Sequence, residues 1–185
     1  FVEDVDKDPV VVFDGLTKSY RYPGWRAGWA VGPKHIIEQM NRAASAVDGG
    51  PSMLTQRAAL EALKPDRVAT TTKALRNEFA KKRDYMLKEL KDMGIEPAQA
   101  PNGTFYIWAN IEKLPAPIND ADEFFFACLE EKVLTVPGHF FDVRPYRVRP
   151  AEEPYRHWVR LSYGPDMETV KKGLKRMRDV IQKYA

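Results

Sequence analysis

Phe13-Asp14-Gly15-Leu16-Thr17-Lys18-Ser19-Tyr20-Arg21-Tyr22-Pro23-Gly24-Trp25-Arg26-Ala27-Gly28-Trp29 is the stretch on which the fold turns. It opens at the end of an apolar run, Val10-Val11-Val12-Phe13, and leads into a second, Gly28-Trp29-Ala30-Val31-Gly32. The first run is β-branched and bounded by Pro9 and Asp14-Gly15. That pattern predicts a strand buried on both faces, as in a mostly parallel sheet. Lys18 stands just past its end, and Arg26 follows eight residues later across a Pro-Gly turn. An amine that attacks an aldehyde needs a rigid mount, and an anionic ligand needs a fixed cation. A guanidinium holds a phosphate in a bidentate way that an ammonium cannot.

This segment resembles the cofactor-lysine motif of the fold-type I pyridoxal-phosphate-dependent aminotransferases (the class I/II family), written S-x-S-K-x-x-x-x-x-G-W-R-x-G. The resemblance extends along nearly the whole chain. It implies an α/β fold, the C-terminal part of the PLP-transferase architecture, with the family's other half expected before Phe1. Residues 1–65 would close the large cofactor-binding domain, 66–93 would form a connecting helix, and 94–185 a small α+β domain. The implied cofactor is pyridoxal 5'-phosphate. The resemblance casts Lys18 as the residue forming the internal aldimine, its freed amine later moving the substrate proton. Such an amine acts when neutral, so burial and nearby cations are expected to lower its pKa. It casts Arg26 as the phosphate-binding arginine and Thr17 as a hydroxyl donor to the same phosphate. Gly15 departs from the pattern, since the family often has serine there, so one phosphate hydrogen bond is absent or supplied elsewhere.

A third residue follows from the same likeness. Trp158-Val159-Arg160-Leu161-Ser162-Tyr163-Gly164 resembles the late strand whose arginine grips the substrate α-carboxylate, which points to Arg160. Arg21 lacks the spacing for the phosphate, and Arg147, Arg149 and Arg156 fall on the loop side. Pro101-Asn102-Gly103-Thr104-Phe105-Tyr106 and Val136-Pro137-Gly138-His139-Phe140-Phe141 resemble two further family turns, where glycine permits close backbone approach or positive φ.

Composition agrees with an ordinary globular chain. Of 185 residues, 44% are apolar and 30% charged, with a net charge of +3. Basic residues are interspersed with acids, so no nucleic-acid partner is called for. A single cysteine, Cys128, excludes an internal disulfide and fits a reducing compartment; among Phe124, Phe125, Phe126 and Leu129 it reads as a core residue. No apolar run is long enough for a membrane span. A cytoplasmic location is expected, an organelle being left open because the chain starts at Phe1. His35, His139 and His157 suggest neither a metal site nor a triad.

The remaining pattern predicts a helix bearing Ile36, Ile37, Met40 and Ala44. Another should start near Pro51, with Leu54, Ala58 and Leu63 buried. A long helix from about Asp66 to Met93 should be stopped by Gly94. Strands are expected at Thr104–Ile111, Val133–Val136 and Trp158–Tyr163. Asp120 and Glu123 resemble a capping box for a helix to about Lys132. Asp142 to Pro154 should be an irregular loop. A terminal helix should bury Val170, Leu174, Met177, Ile181 and Tyr184.

The activity implied is transfer of an amino group from an amino acid to a 2-oxo acid, in a homodimer when the enzyme is whole. The same motifs occur in C–S lyases of this fold and in aminotransferase-like sensing domains of transcription regulators. The carboxylate that pairs with the cofactor's ring nitrogen is expected well upstream of the lysine. Asp4, Asp6 and Asp14 are not credible substitutes, so the chain alone is expected to catalyse transamination poorly.

Overall fold

A computed structural model describes residues 2–143 and 154–185. The chain forms two compact units, Phe1–Arg76 and Asn77–Ala185, with the boundary inside one continuous helix.

In the first unit, β1 (Val12–Gly15) and β2 (Gly28–Val31) pair antiparallel, from Val12 opposite Val31 to Gly15 opposite Gly28. Helices α1 (Lys34–Val47) and α2 (Met53–Ala62) follow, then the start of α3 (Pro65–Asp92). The expected strand buried on both faces is not what β1 is here: Phe13 is 69% exposed. The run has the composition of a central strand, but burial needs neighbours. Among the described residues the ribbon has only its two strands. Two other expectations are corrected. Pro51, expected in the first turn of this helix, lies before it, and Ser52 caps α2, its hydroxyl accepting from the Thr55 amide at 3.2 Å. Leu54 is 82% exposed, because among the described residues no element of this unit buries any residue of α2. Only Leu16 and Pro33 are fully buried in the described part of this unit.

The second unit is built on a four-stranded antiparallel sheet. Its strands are β3 (Glu96–Pro97), β4 (Tyr106–Asn110), β5 (Val136–Pro137) and β6 (Trp158–Ser162), in the order β3-β4-β6-β5. Alternation decides which face is dry. Ile107 and Ala109 of β4 and Val159 and Leu161 of β6 are all at most 3% exposed. They join one core with Met86 and Leu90 of α3, and with Phe124 and Cys128 of α4 (Ala121–Glu130). Val170, Leu174, Met177 and Val180 of α5 (Met167–Tyr184) complete it. Fully burying a side chain such as Phe124 or Leu90 contributes about 1.5–3 kcal/mol.

Both later helices begin on aspartate caps. Asp120 accepts from the Asp122 and Glu123 amides, and Asp166 from the Thr169 amide. The strand expected over Val133–Val136 shrinks to Val136–Pro137, since Lys132 adopts φ 60° and Leu134 is exposed. The short β3 went unanticipated. On α5, Val180 takes the buried place assigned to Tyr184, which is 41% exposed in the last turn. Most of the expected loop from Asp142 to Pro154, with Arg147 and Arg149, lies outside the described residues. Among the described residues no helix is long and apolar enough to cross a membrane.

Candidate functional site

The loop between β1 and β2 is pinched at its base. Gly15 faces Gly28, and a Cβ on Gly15 would lie 2.9 Å from the Ala27 carbonyl oxygen. A Cβ on Gly28 would lie 2.8 Å from the Asp14 carbonyl oxygen. Two glycines therefore let the strands converge where any side chain would push them apart. The same contact accounts for glycine where the family often carries serine. Above the pinch, the Leu16 amide donates to the Ala27 carbonyl at 3.0 Å, and the Tyr22 amide to the Leu16 carbonyl at 2.8 Å. Leu16 is fully buried and anchors the loop from below.

Thr17, Lys18 and Arg26 all rise from this one closed loop. Thr17 is half-buried, while Lys18 and Arg26 are exposed. A turn runs from Lys18 to Arg21, the Arg21 amide donating to the Lys18 carbonyl at 3.2 Å. A short 3-10 turn, Pro23–Trp25, delivers Arg26 in the left-handed conformation, φ 51°. A non-glycine residue there costs on the order of 1 kcal/mol and persists because its surroundings fix it. What fixes it is visible: Tyr22 stacks on Trp25 at 4.2 Å, and Arg26 Nη1 donates to the Pro23 carbonyl at 3.0 Å. The burial expected to ready Lys18 is not supplied here, since the loop stands on the outside of its unit.

Arg160 stands in the other unit, half-buried on β6. Its neighbours Val159 and Leu161 face the core, so Arg160 lies on the opposite face with Tyr106 and Trp108 of β4. The guanidinium carbon sits 4.1 Å from the Tyr106 ring centre and 4.7 Å from that of Phe141. Trp108, directly across from Arg160, meets Phe141 edge-on at 5.3 Å and stacks parallel to Trp158 at 5.8 Å. Among the described residues no carboxylate or carbonyl takes a hydrogen bond from the Arg160 guanidinium, so its donors are available to an anion. Sequence reasoning placed Tyr106 and Phe141 in turn motifs and missed their grip on Arg160. The alternation of β4 held the signal for Tyr106. Arg156, set aside earlier, pairs with Asp120 at 2.8 Å and is structural.

The glycines of the two looser motifs act differently. Gly138 has the Tyr155 carbonyl oxygen 2.5 Å from where a Cβ would sit, so it permits a close approach. Near Gly103 the left-handed residue is Thr104, φ 64°, and Tyr163 Oη holds this turn by donating to the Thr104 carbonyl at 3.1 Å. Among the described residues no cluster of three or more histidine, cysteine or carboxylate side chains could hold a metal ion.

The donor set suits a phosphorylated aldehyde: an exposed primary amine, a hydroxyl and a guanidinium on one loop. Comparisons with known proteins point to one family. The sequence profile of the family "Aminotransferase class I and II" matches residues 1–177. An aspartate aminotransferase of Sulfurisphaera tokodaii is 30% identical over 184 residues, 97% of this chain and 43% of that protein. An aromatic-amino-acid aminotransferase of Thermococcus litoralis is 29% identical over 93% of this chain and 41% of its own length. The crystal structure of an aromatic aminotransferase from Pyrococcus horikoshii superposes with a TM-score of 0.80 and 27% identity, covering 94% of this chain and 43% of that one. The chain thus spans less than half the length of these relatives. With its lysine loop, its aromatic-flanked arginine and its nearly end-to-end match, this chain belongs to the class I and II aminotransferase family.

Proposed function

We propose that this chain supplies the lysine loop and the carboxylate-binding arginine of a pyridoxal-phosphate-dependent aminotransferase that moves an amino group from an amino acid to a 2-oxo acid. The observation that carries the reading is the closed loop 16–27, which mounts an amine, a hydroxyl and a guanidinium together. Relatives acting, by name, on aspartate and on aromatic amino acids support the reaction class.

Each residue has a distinct task. The Lys18 amine would be the nucleophile that holds the cofactor, and as a free amine it would carry the proton lost from the substrate α-carbon. The Arg26 guanidinium would pair with the cofactor phosphate, and its left-handed backbone sets the direction in which it leaves the loop. The Thr17 hydroxyl would donate to the same phosphate. Arg160 takes the substrate α-carboxylate and so orients the α-carbon. The bound cofactor itself supplies an electron sink for the α-carbon.

Trapping tests this on the chain as it stands. The protein is incubated with substoichiometric pyridoxal phosphate, reduced with borohydride, digested and mapped by mass spectrometry. Label should concentrate on Lys18 and lose that preference in Arg26→Ala. Label spread evenly over the exposed lysines in both proteins would overturn the assignment.

A further inference from the structure

We propose that Tyr106 and Phe141 are positioning residues for Arg160, holding its guanidinium by its faces so that its donor edge is presented to a carboxylate. The proposal rests on the carboxylate role of Arg160 given above and adds the residues that fix its aim.

Geometry carries it. Tyr106 pairs with Ser162 and Trp108 with Arg160, so Tyr106 is the diagonal neighbour of Arg160 on the outer face of the sheet. Diagonal neighbours on one face are within reach of aromatic and long side chains. Phe141 comes from a different element, the end of the 3-10 turn Gly138–Phe141 after β5. Centre distances of 4.1 and 4.7 Å fall well inside the range of attraction between a cation and a ring quadrupole. Trp108 braces Phe141 edge-on at 5.3 Å, so the second ring is itself held.

The chemistry explains why rings suit this task better than an acid. A carboxylate neighbour would hold Arg160 by consuming the donors needed for substrate. Aromatic faces hold the cation by its π surface and leave all five N–H groups in the plane. They also withhold water from the guanidinium faces, which strengthens the remaining polar contact. A long side chain otherwise loses rotamer freedom when it binds, and the rings remove that freedom beforehand.

The test follows the Arg160 Nε–Hε signal in the nitrogen-15-labelled chain, with sodium acetate as probe and sodium chloride as control. In the unaltered protein the signal should be rigid, displaced by ring currents and shifted further by acetate but not by chloride. In Tyr106→Leu and Phe141→Leu it should become mobile, with acetate binding about three- to fivefold weaker. Tyr106→Phe should behave as the parent, because the ring and not the hydroxyl acts. Unchanged methyl signals of Ile107 and Val159 report that the sheet is intact; Phe141→Leu, away from the sheet strands, serves where Tyr106→Leu does not fold. An Arg160 signal equally rigid and equally responsive in the leucine variants overturns the positioning role. Rings that order Arg160 while acetate has no effect on the parent protein would instead sink the carboxylate role, so the two failures are distinguishable. A structural role alone would lower thermal stability and leave the acetate response unchanged.

Discussion

Arg156 Nε donates to Asp120 Oδ2 at 2.8 Å, while Oδ1 of the same carboxylate accepts from the Asp122 and Glu123 amides at 3.0 and 3.4 Å. One side chain therefore caps α4 and ties it to the segment entering β6. The Ala121 amide donates to the Arg156 carbonyl at 2.8 Å, and the Ile111 amide to the His157 carbonyl at 2.9 Å. Burial works to raise the Asp120 carboxyl, but the Arg156 bond and the two amides outweigh it and hold the group below the usual carboxylate range. Such a group contributes stability that is fully present above its ordinary pKa and lost as pH falls through the lowered value. Asp120→Ala should cost about 1–2 kcal/mol near neutrality. Urea unfolding at pH 7 and in strong acid checks this. The difference between variant and parent should shrink below the ordinary carboxylate pKa, and a constant difference would refute the linkage.

Lys82 Nζ donates to the Pro165 carbonyl at 2.7 Å and the Gly164 carbonyl at 3.2 Å, with the Phe79 ring 4.3 Å beneath it. A 9% exposed lysine in a helix otherwise lined with surface charge is a latch between α3 and the turn into α5. Lys82→Met keeps the aliphatic stem and removes the donor. Because Pro165 is exposed, water can replace part of the bond, so the expected loss is about 1 kcal/mol. Hydrogen exchange should show it first at the Val170 amide, which bonds to the Asp166 carbonyl in the opening turn of α5. Unaltered exchange there would show that the latch does not hold α5.

Local chemistry was legible in the sequence, and anything set by a distant neighbour was not. Asp120 and Gly94 announced helix ends because capping needs only the next few residues. Strands at β4 and β6 were expected, and the alternation along them matches the buried face. By contrast, Val10–Phe13 reads as a buried strand, yet Phe13 lies exposed, because composition records what a strand is suited to and not which neighbours it has. Lys18, Thr17 and Arg26 are nominated by resemblance to a family motif, and the closed loop that carries all three depends on the Gly15–Gly28 contact, which the motif does not reveal. The Phe141 contact with Arg160 joins residues from separate elements, so no local pattern encodes it. Leu54 is apolar at a helical position yet exposed for the same reason as Phe13: among the described residues nothing packs over that face.

Two glycines should respond oppositely to alanine. A Cβ on Gly138 would meet the Tyr155 carbonyl oxygen at 2.5 Å, the Tyr155 Cβ at 2.7 Å and the Trp158 carbonyl oxygen at 2.8 Å. Most of this is backbone, so the segment entering β6 must move, and Gly138→Ala should destabilise by about 1–3 kcal/mol. Gly173 sits inside α5 with open space around its missing side chain. Gly173→Ala should stabilise by about 0.5–1 kcal/mol through helix propensity. Thermal melts of both variants decide it, and shifts of the same sign would contradict this assignment.

Cys128 is fully buried between the sheet and its helices, and burial pushes its thiol up to about 12 from an ordinary 9.0. The thiolate is the reactive form, so a shift of that size leaves on the order of a thousandfold less of it near pH 8. Modification of the native chain by iodoacetamide should then proceed only through opening of the core, at a rate that urea accelerates. Linkage gives a second signature. The folded state keeps its proton above pH 9 while the unfolded chain releases it, so folding stability should fall as pH rises beyond that point. Cys128→Ala would remove the decline attributable to this group, at the cost of a small cavity. Rapid labelling in the absence of denaturant, at the rate of an unfolded peptide, would show that the thiol is not sealed inside the core.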